Sequence, residues 1–192
     1  MPFIGPDRRA LFSVAAMCVV VVASNILVQY PFEPFGMADI LTWGAFTYPF
    51  SFLVTDLTNR WFGARTTRRV IYVGFALAVV LSIWLSDPRI ALASGSAFLS
   101  AQLLDVAVFN RLRQGTWWRA PLASSTLGSA LDTTIFFSLA FAGTGLPWTS
   151  WALGDFTVKM LVALAALVPY ASLMNVVKPF RPQEAGYPSN GI

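Results

Sequence analysis

Histidine is missing from all 192 residues, and cysteine occurs once, as Cys18. Without histidine the chain lacks the one side chain that ordinarily titrates near neutral pH, and it lacks the commonest metal ligand. Ser–His nucleophile pairs and His/Glu zinc helices are excluded with it. Any proton coupling must therefore use carboxylates. One cysteine cannot close an intrachain disulfide, and its setting among Val and Ala reads as a small packed hydrophobe. Charge is equally scarce: Asp, Glu, Lys and Arg make up 11% of the chain, against about 25% in soluble domains. Phosphate-cradling glycine loops are missing too, so direct use of ATP by this chain is not expected. The net charge of +4 forms no long basic run and no basic patch interleaved with aromatics, so nucleic acid is not an expected partner. No cofactor and no metal is implied.

What is abundant is apolar surface, with a hydrophobic fraction of 56% and a mean hydropathy of +0.64. In water that surface would aggregate, whereas in a bilayer it is what the solvent requires. The expected fold class is all-α, a polytopic membrane protein built as one six-transmembrane-helix bundle. About 20 apolar residues cross the hydrocarbon core, and six stretches qualify: roughly 10–30, 40–60, 69–85, 90–110, 122–142 and 153–177. Residues 1–178 form this domain, and the proline-rich residues 179–192 read as a disordered cytoplasmic tail.

Loop charge gives an orientation. Taking the connections alternately, one side collects Arg8, Arg9, Arg60, Arg65, Arg68, Arg69, Arg111, Arg113, Arg119, Lys178 and Arg181, while the other has only Arg89 beside Glu33, Asp39, Asp87 and Asp155. The positive-inside rule makes the basic side cytoplasmic and puts both termini there. Arg8 and Arg9 ahead of an apolar run also suit a cleavable signal, but apolar character continues through Ile26, Leu27 and Val28 and favours a full span. Trp43, Trp84, Trp117, Trp118, Trp148 and Trp151 fall at span ends, as an interfacial belt requires.

Four ionisable side chains fall inside the spans: Asp56, Asp105, Asp132 and Lys159. A carboxylate at the centre of a lipid-facing helix costs roughly 2.5–3.5 kcal/mol, so each is expected to face protein or water. Asp132 is the deepest, and Ser125, Gly128 and Ser129 precede it on one helical face, a small polar stripe that lets a helix or a ligand approach. Asp56 is placed to pair with Arg60 one turn on, with Thr55 and Asn59 adding polar atoms and Pro49 freeing a backbone carbonyl. Asp105 has Gln102 one turn before it and Arg111 after it. Lys159 follows Asp155 by four residues, the favourable order for an interfacial ion pair. An intramembrane aspartyl protease would need two carboxylates sharing a proton, but the sequence around Asp132, Gly128-Ser-Ala-Leu-Asp132, lacks the Gly-x-Gly-Asp pattern of such enzymes. No enzyme is expected.

Several blocks carry a resemblance. They are Ser24-Asn25 with Val28-Gln29, TWGAFTYPFSFLVTDLTNRWFG from Thr42, LLDVAVFNRLRQ from Leu103, Trp117-Trp118 with Ala120-Pro121, the serine-rich run to Asp132, and Phe156 through Lys159. Together they span nearly the whole chain, which resembles the bacterial queuosine precursor transporters of the vitamin-uptake-transporter group. The third connection, external and confined to 86–89, is shorter than such proteins lead one to expect. The resemblance implies an importer in the bacterial cytoplasmic (inner) membrane for 7-cyano-7-deazaguanine and its aminomethyl relative, working by secondary transport or facilitated diffusion. A 7-deazaguanine edge offers parallel N–H donors that a carboxylate can accept, so Asp132 or Asp56 would hold the base, with Asp105 as a second polar wall. Lys159, Asn25 or Gln102 would serve the keto oxygen, and Trp43, Tyr48 or Phe52 would stack on the ring. The implied partners are this small molecule and the lipid bilayer, with self-association into a homo-oligomer left open. The alternative is a substrate-binding subunit of an ATP-driven energy-coupling transporter, and a purely structural membrane protein comes third.

Overall fold

The computed structural model describes residues 8–27, 30–37, 41–85, 87–177 and 179–180. Val28, Gln29, Asp39, Lys178, Arg181 and the rest of the expected tail lie outside them. The described chain is helical: α1 (Arg8–Leu27), α2 (Gly44–Thr47), α3 (Phe50–Leu85), α4 (Pro88–Leu112), α5 (Arg119–Phe141) and α6 (Trp148–Leu173). No strand occurs among the described residues; an isolated antiparallel bridge, Pro31 to Thr42, ties off the connection between α1 and α2. Phe32 stacks edge-on against Trp43 there, with ring centroids 4.8 Å apart.

The start of α4 follows local chemistry. Asp87 caps it by accepting the Arg89 backbone N–H at 2.9 Å, and Pro88 fills the first helical position, where no N–H is needed. The Arg89 side chain crosses to the end of α5 and donates to the carbonyls of Leu139 and Ala142 at 2.8 and 2.7 Å. A cation at the negative end of a helix dipole satisfies carbonyls that the helix itself leaves open.

Where the sequence predicts two spans, 40–60 and 69–85, α3 runs from Phe50 to Leu85 with a break at Gly63. Gly63 has φ 76° and ψ 170°, a backbone region open essentially to glycine alone. The helix resumes at once, so the expected loop between these segments is helical. The break frees the Arg60 carbonyl, which accepts the Phe180 N–H at 2.7 Å and the Arg113 guanidinium at 3.3 Å. Phe180, assigned from sequence to the tail, is thus docked on the break.

Neighbours in chain order pack side by side, α1 on α3, α3 on α4, α4 on α5 and α5 on α6, while α2 touches both α1 and α6. One apolar core joins α1, the second part of α3 and α4 through Met17, Val21, Val70, Ile71, Phe98 and Val106. A second joins α3, α4, α5 and α6 around Phe109, Ala120 and Tyr170. The interior also holds Ser51, Thr55, Asp56, Asn59, Gln102, Asp105, Ser124, Ser129 and Lys159, all buried, while Leu127, Leu153, Leu161, Leu164 and Val168 are exposed. Apolar outside and polar inside is the distribution that a lipid solvent selects. Among the described residues, three helical stretches are long and apolar enough to cross a membrane, Ala10–Leu27, Pro88–Leu112 and Trp148–Leu173. The Ser, Thr and Gly content of α5 lowers its hydropathy, and Ser124, Ser125, Gly128, Ser129 and Thr133 face the bundle.

Candidate functional site

The described chain encloses a cavity of ≈ 450 Å³, within the usual range for small-molecule sites. Its wall comes from the C-terminal half of α1, the turn and α2 around residues 41–48, both ends of α3, the start of α4, the end of α5 and the start of α6. It is therefore built at the bundle end that holds Arg89. The arginines of the α3 break, Arg60 and Arg113, lie at the other end, beside Val177 and Phe180. Most of the wall is apolar, with Phe98, Phe136, Phe137, Phe141 and Trp151 among the larger side chains.

Two helices and a turn supply one polar knot in this wall. Lys159 Nζ of α6 lies 2.7 Å from Asp132 Oδ2 of α5 and 2.5 Å from Asp155 Oδ2. Tyr48, in the turn between α2 and α3, donates its hydroxyl to Asp132 Oδ1 at 2.9 Å. Thr133 donates to Asp155 Oδ2 at 2.8 Å and accepts from Lys159 at 3.2 Å. The Lys159 ammonium also stands 5.4 Å from the centre of the Tyr48 ring. Two carboxylates and one ammonium leave the knot with a formal charge of −1. Its side chains are nearly buried, 5% exposed for Lys159, 8% for Asp132 and 14% for Asp155. Asp155 is the most open of the three, although the sequence reading treats it only as the helical partner of Lys159. The i,i+4 spacing was the signal available; its place in the wall depends on the tilt of α6 against α5.

The other residues singled out from sequence divide clearly. Asn25 lines the cavity, with its amide also donating to the Val21 carbonyl at 2.9 Å. Tyr48 lines it as well. Phe52 does not: it is buried beneath Gly128, where a Cβ would come within 2.7 Å of the ring. The stripe before Asp132 thus lets α3 press against α5, and Phe52 reaches the site only through an edge-to-face contact with Tyr48 at 6.0 Å. Trp43 packs against Phe32 and Phe46 and is 43% exposed, away from the cavity lining.

Gln102, Asp56 and Asp105 form a second polar group, between α3, α4 and α5. Gln102 donates to Ser51 Oγ at 2.7 Å and accepts from Thr55 at 2.5 Å. The expected Asp56–Arg60 pair is replaced: Asp56 accepts from Ser124 at 3.0 Å and Ser125 at 3.5 Å, and Arg60 Nε donates to the Val177 carbonyl at 3.1 Å. The Val177 carbonyl, just past α6, takes the guanidinium instead. Asp105, also buried, lies within hydrogen-bonding reach of the Asp56 carboxyl and the Ser124 hydroxyl. The hydroxyl has one proton and gives it to Asp56, so both Asp105 oxygens accept nothing from a described donor. A buried polar group left in that state costs about 1–3 kcal/mol, and more if charged.

Among the described residues no cluster of His, Cys, Asp and Glu suits a metal ion. Comparison with known proteins agrees with transport chemistry. The family model described as "Putative vitamin uptake transporter" matches residues 42–87 and 82–174. A protein named "Probable queuosine precursor transporter" from Haemophilus influenzae is 38% identical, over 88% of each chain. "Queuosine precursor transporter" from Escherichia coli is also 38% identical over 88% of each chain. A Bacillus subtilis protein named "Probable queuosine precursor transporter" is 28% identical over 78% of this chain and 77% of its own. These relatives are named as transporters, not enzymes. No solved structure matches.

Proposed function

This chain belongs to the queuosine precursor transporter family, and from that premise we propose that it imports 7-cyano-7-deazaguanine and its aminomethyl derivative across the bacterial cytoplasmic membrane. The bundle crosses the bilayer six times, with α3 contributing two spans through its break at Gly63, and both termini are cytoplasmic. The arginine distribution supports this orientation. The cavity then faces outward, and the end closed by Arg60, Arg113 and Phe180 faces the cytoplasm. That is the arrangement of an importer waiting for its ligand.

The observation that carries the reading is the Asp132–Lys159–Asp155 knot in an otherwise apolar wall. A 7-deazaguanine needs an aromatic slot, acceptors for its N–H edge and a donor for its keto oxygen. The aromatic side chains supply the first, Asp155 and Asp132 the second, and Lys159 or Asn25 the third. A carboxylate has about four lone-pair sites, so Asp132 can keep Tyr48 and Lys159 and still accept from a base. The formal charge of −1 also suits the cationic aminomethyl form.

The test is uptake of labelled precursor by cells lacking their own transporter. Asp132→Asn, Asp155→Asn and Lys159→Met should each depress uptake at normal membrane levels. Wild-type uptake in all three would overturn the assignment.

A further inference from the structure

The Asp56–Asp105 pair lines no part of the large cavity, and base recognition gives it no task. Both residues are buried, 1% and 0% exposed. Their carboxyls are within hydrogen-bonding reach of each other, yet among the described residues neither forms an ion pair with a cation. The charged and titratable groups facing them are accounted for. From α6 comes the Tyr170 phenol, which lies near Arg60. Arg60 of α3 and Arg113, just past α4, are turned to the backbone carbonyls of Val177, Arg60 and Phe180. Helix α5 offers only the hydroxyls of Ser124 and Ser125, and Lys159 is held by Asp132 and Asp155.

Two adjacent carboxylates with no cation cannot both stay ionised at such a site. A single proton resolves the arrangement: bonded to one Asp105 oxygen, it is donated to Asp56 and gives the orphaned carboxyl a partner. Polar groups approach the pair from two sides. Ser51 lines the cavity and accepts from Gln102, which accepts from Thr55, the residue before Asp56. That hydrogen-bonded chain runs from the cavity wall along α3 and α4 as far as the Thr55 hydroxyl, one residue from Asp56. On another side, Asp56, Ser125, Ser129 and Tyr170 border a void of ≈ 10 Å³, about the size of one water. One turn further toward the arginine end, Asn59 donates to the Val106 carbonyl at 3.2 Å, while its buried Oδ1 has no partner.

We infer that Asp56 and Asp105 form a proton-binding site, separate from the base site, that couples import to proton entry. The inference rests on the importer reading above. In the outward-facing form a proton taken up through the cavity is held as an O–H bond on one carboxyl of the pair, which then carries a charge of −1. The same bond breaks when the proton leaves to the cytoplasm after the bundle reopens inward. No electron moves and no other reactant is consumed.

Two measurements on the full-length chain test it. Infrared spectroscopy of the purified protein at neutral pH should show the carbonyl band of a protonated, buried carboxyl, lost in both Asp56→Asn and Asp105→Asn. In proteoliposomes containing only this chain, an inward proton gradient should drive at least tenfold accumulation of labelled 7-cyano-7-deazaguanine. Asp105→Asn should abolish that accumulation while leaving exchange of internal for external base within about threefold of wild type. If the wild-type chain exchanges the base but neither shows the band nor accumulates against the gradient, the proton site is wrong and the importer reading stands. If the band is present but no base is exchanged, the importer reading fails and proton binding at the pair stands alone. Should Asp105→Asn not reach the membrane, the wild-type band and gradient response still decide.

Discussion

Lys159 reaches across from α6 to Asp132 on α5, Nζ to Oδ2 at 2.7 Å, with both side chains all but removed from solvent. The ammonium is held between this carboxylate and Asp155, so removing it leaves two negative groups facing each other in an apolar wall. Truncating one partner of a buried ion pair costs about 3–5 kcal/mol. Lys159→Met should lower the detergent melting temperature and abolish uptake. Pairing it with Asp132→Asn removes one of the two stranded charges, so the double variant should recover most of the stability and none of the uptake. Thermal unfolding alongside transport separates the two effects; a double variant as unstable as Lys159→Met would show that the ion pair does not govern stability here.

Asp155 is the most open group of the knot and can meet a ligand without dismantling the Tyr48–Asp132–Lys159 chain. Asp155→Asn changes the formal charge of the wall from −1 to zero while keeping an acceptor for Thr133. The aminomethyl precursor should then lose roughly tenfold in apparent affinity, or about 1.4 kcal/mol. The neutral cyano form should change much less. Competition between the two in uptake assays reads this directly, and equal losses for both would remove Asp155 as the group that senses ligand charge.

Much of this was legible in the sequence, for identifiable reasons. Hydropathy marked the helical, apolar character of the chain because a lipid solvent demands long apolar runs. The Asp155–Lys159 pair was legible because helical spacing alone brings the two together. The third partner was not: Asp132 lies 27 residues from Lys159, and only the packing of α5 on α6 joins them. The Asp56–Arg60 pairing failed for a related reason. Helical spacing allows it, but the Val177 carbonyl, 117 residues away in the chain, takes the guanidinium, while Ser124 and Ser125 of α5 donate to Asp56. Trp43 and Phe52 were grouped with Tyr48 by nearness in sequence, whereas the turn at Tyr48 and Pro49 sends the three side chains to different surroundings.

Gly128 marks a place where packing alone sets the residue. A Cβ there would lie 2.7 Å from Phe52 Cε1 and 3.4 Å from the Ala101 carbonyl. Phe52 is 1% exposed and has little room to retreat. Gly128→Val should therefore destabilise the bundle by about 1–3 kcal/mol, the usual range for overpacking, and Gly128→Ala by less. Combining Gly128→Ala with Phe52→Leu should restore part of the loss. A melting series in detergent tests the order, and an unchanged midpoint for Gly128→Val would show that α3 and α5 are not tightly held there.

The break in α3 makes the sharpest stability prediction. Gly63 adopts a conformation that a side chain resists, and an added Cβ would stand 2.8 Å from the Phe180 ring. Gly63→Ala meets both penalties at once. The backbone term alone is of order 1–3 kcal/mol. Phe180→Ala relieves only the steric part and removes the ring over which the Arg113 guanidinium lies at 5.8 Å. The double variant should thus be more stable than Gly63→Ala if the ring contact is the larger problem, and no better if the backbone is. The docked segment closes the arginine end, so Phe180→Ala should also make cysteines introduced beside Arg60 more reactive toward a water-soluble maleimide. Unchanged labelling at normal protein levels would show that Phe180 does not help to seal that end.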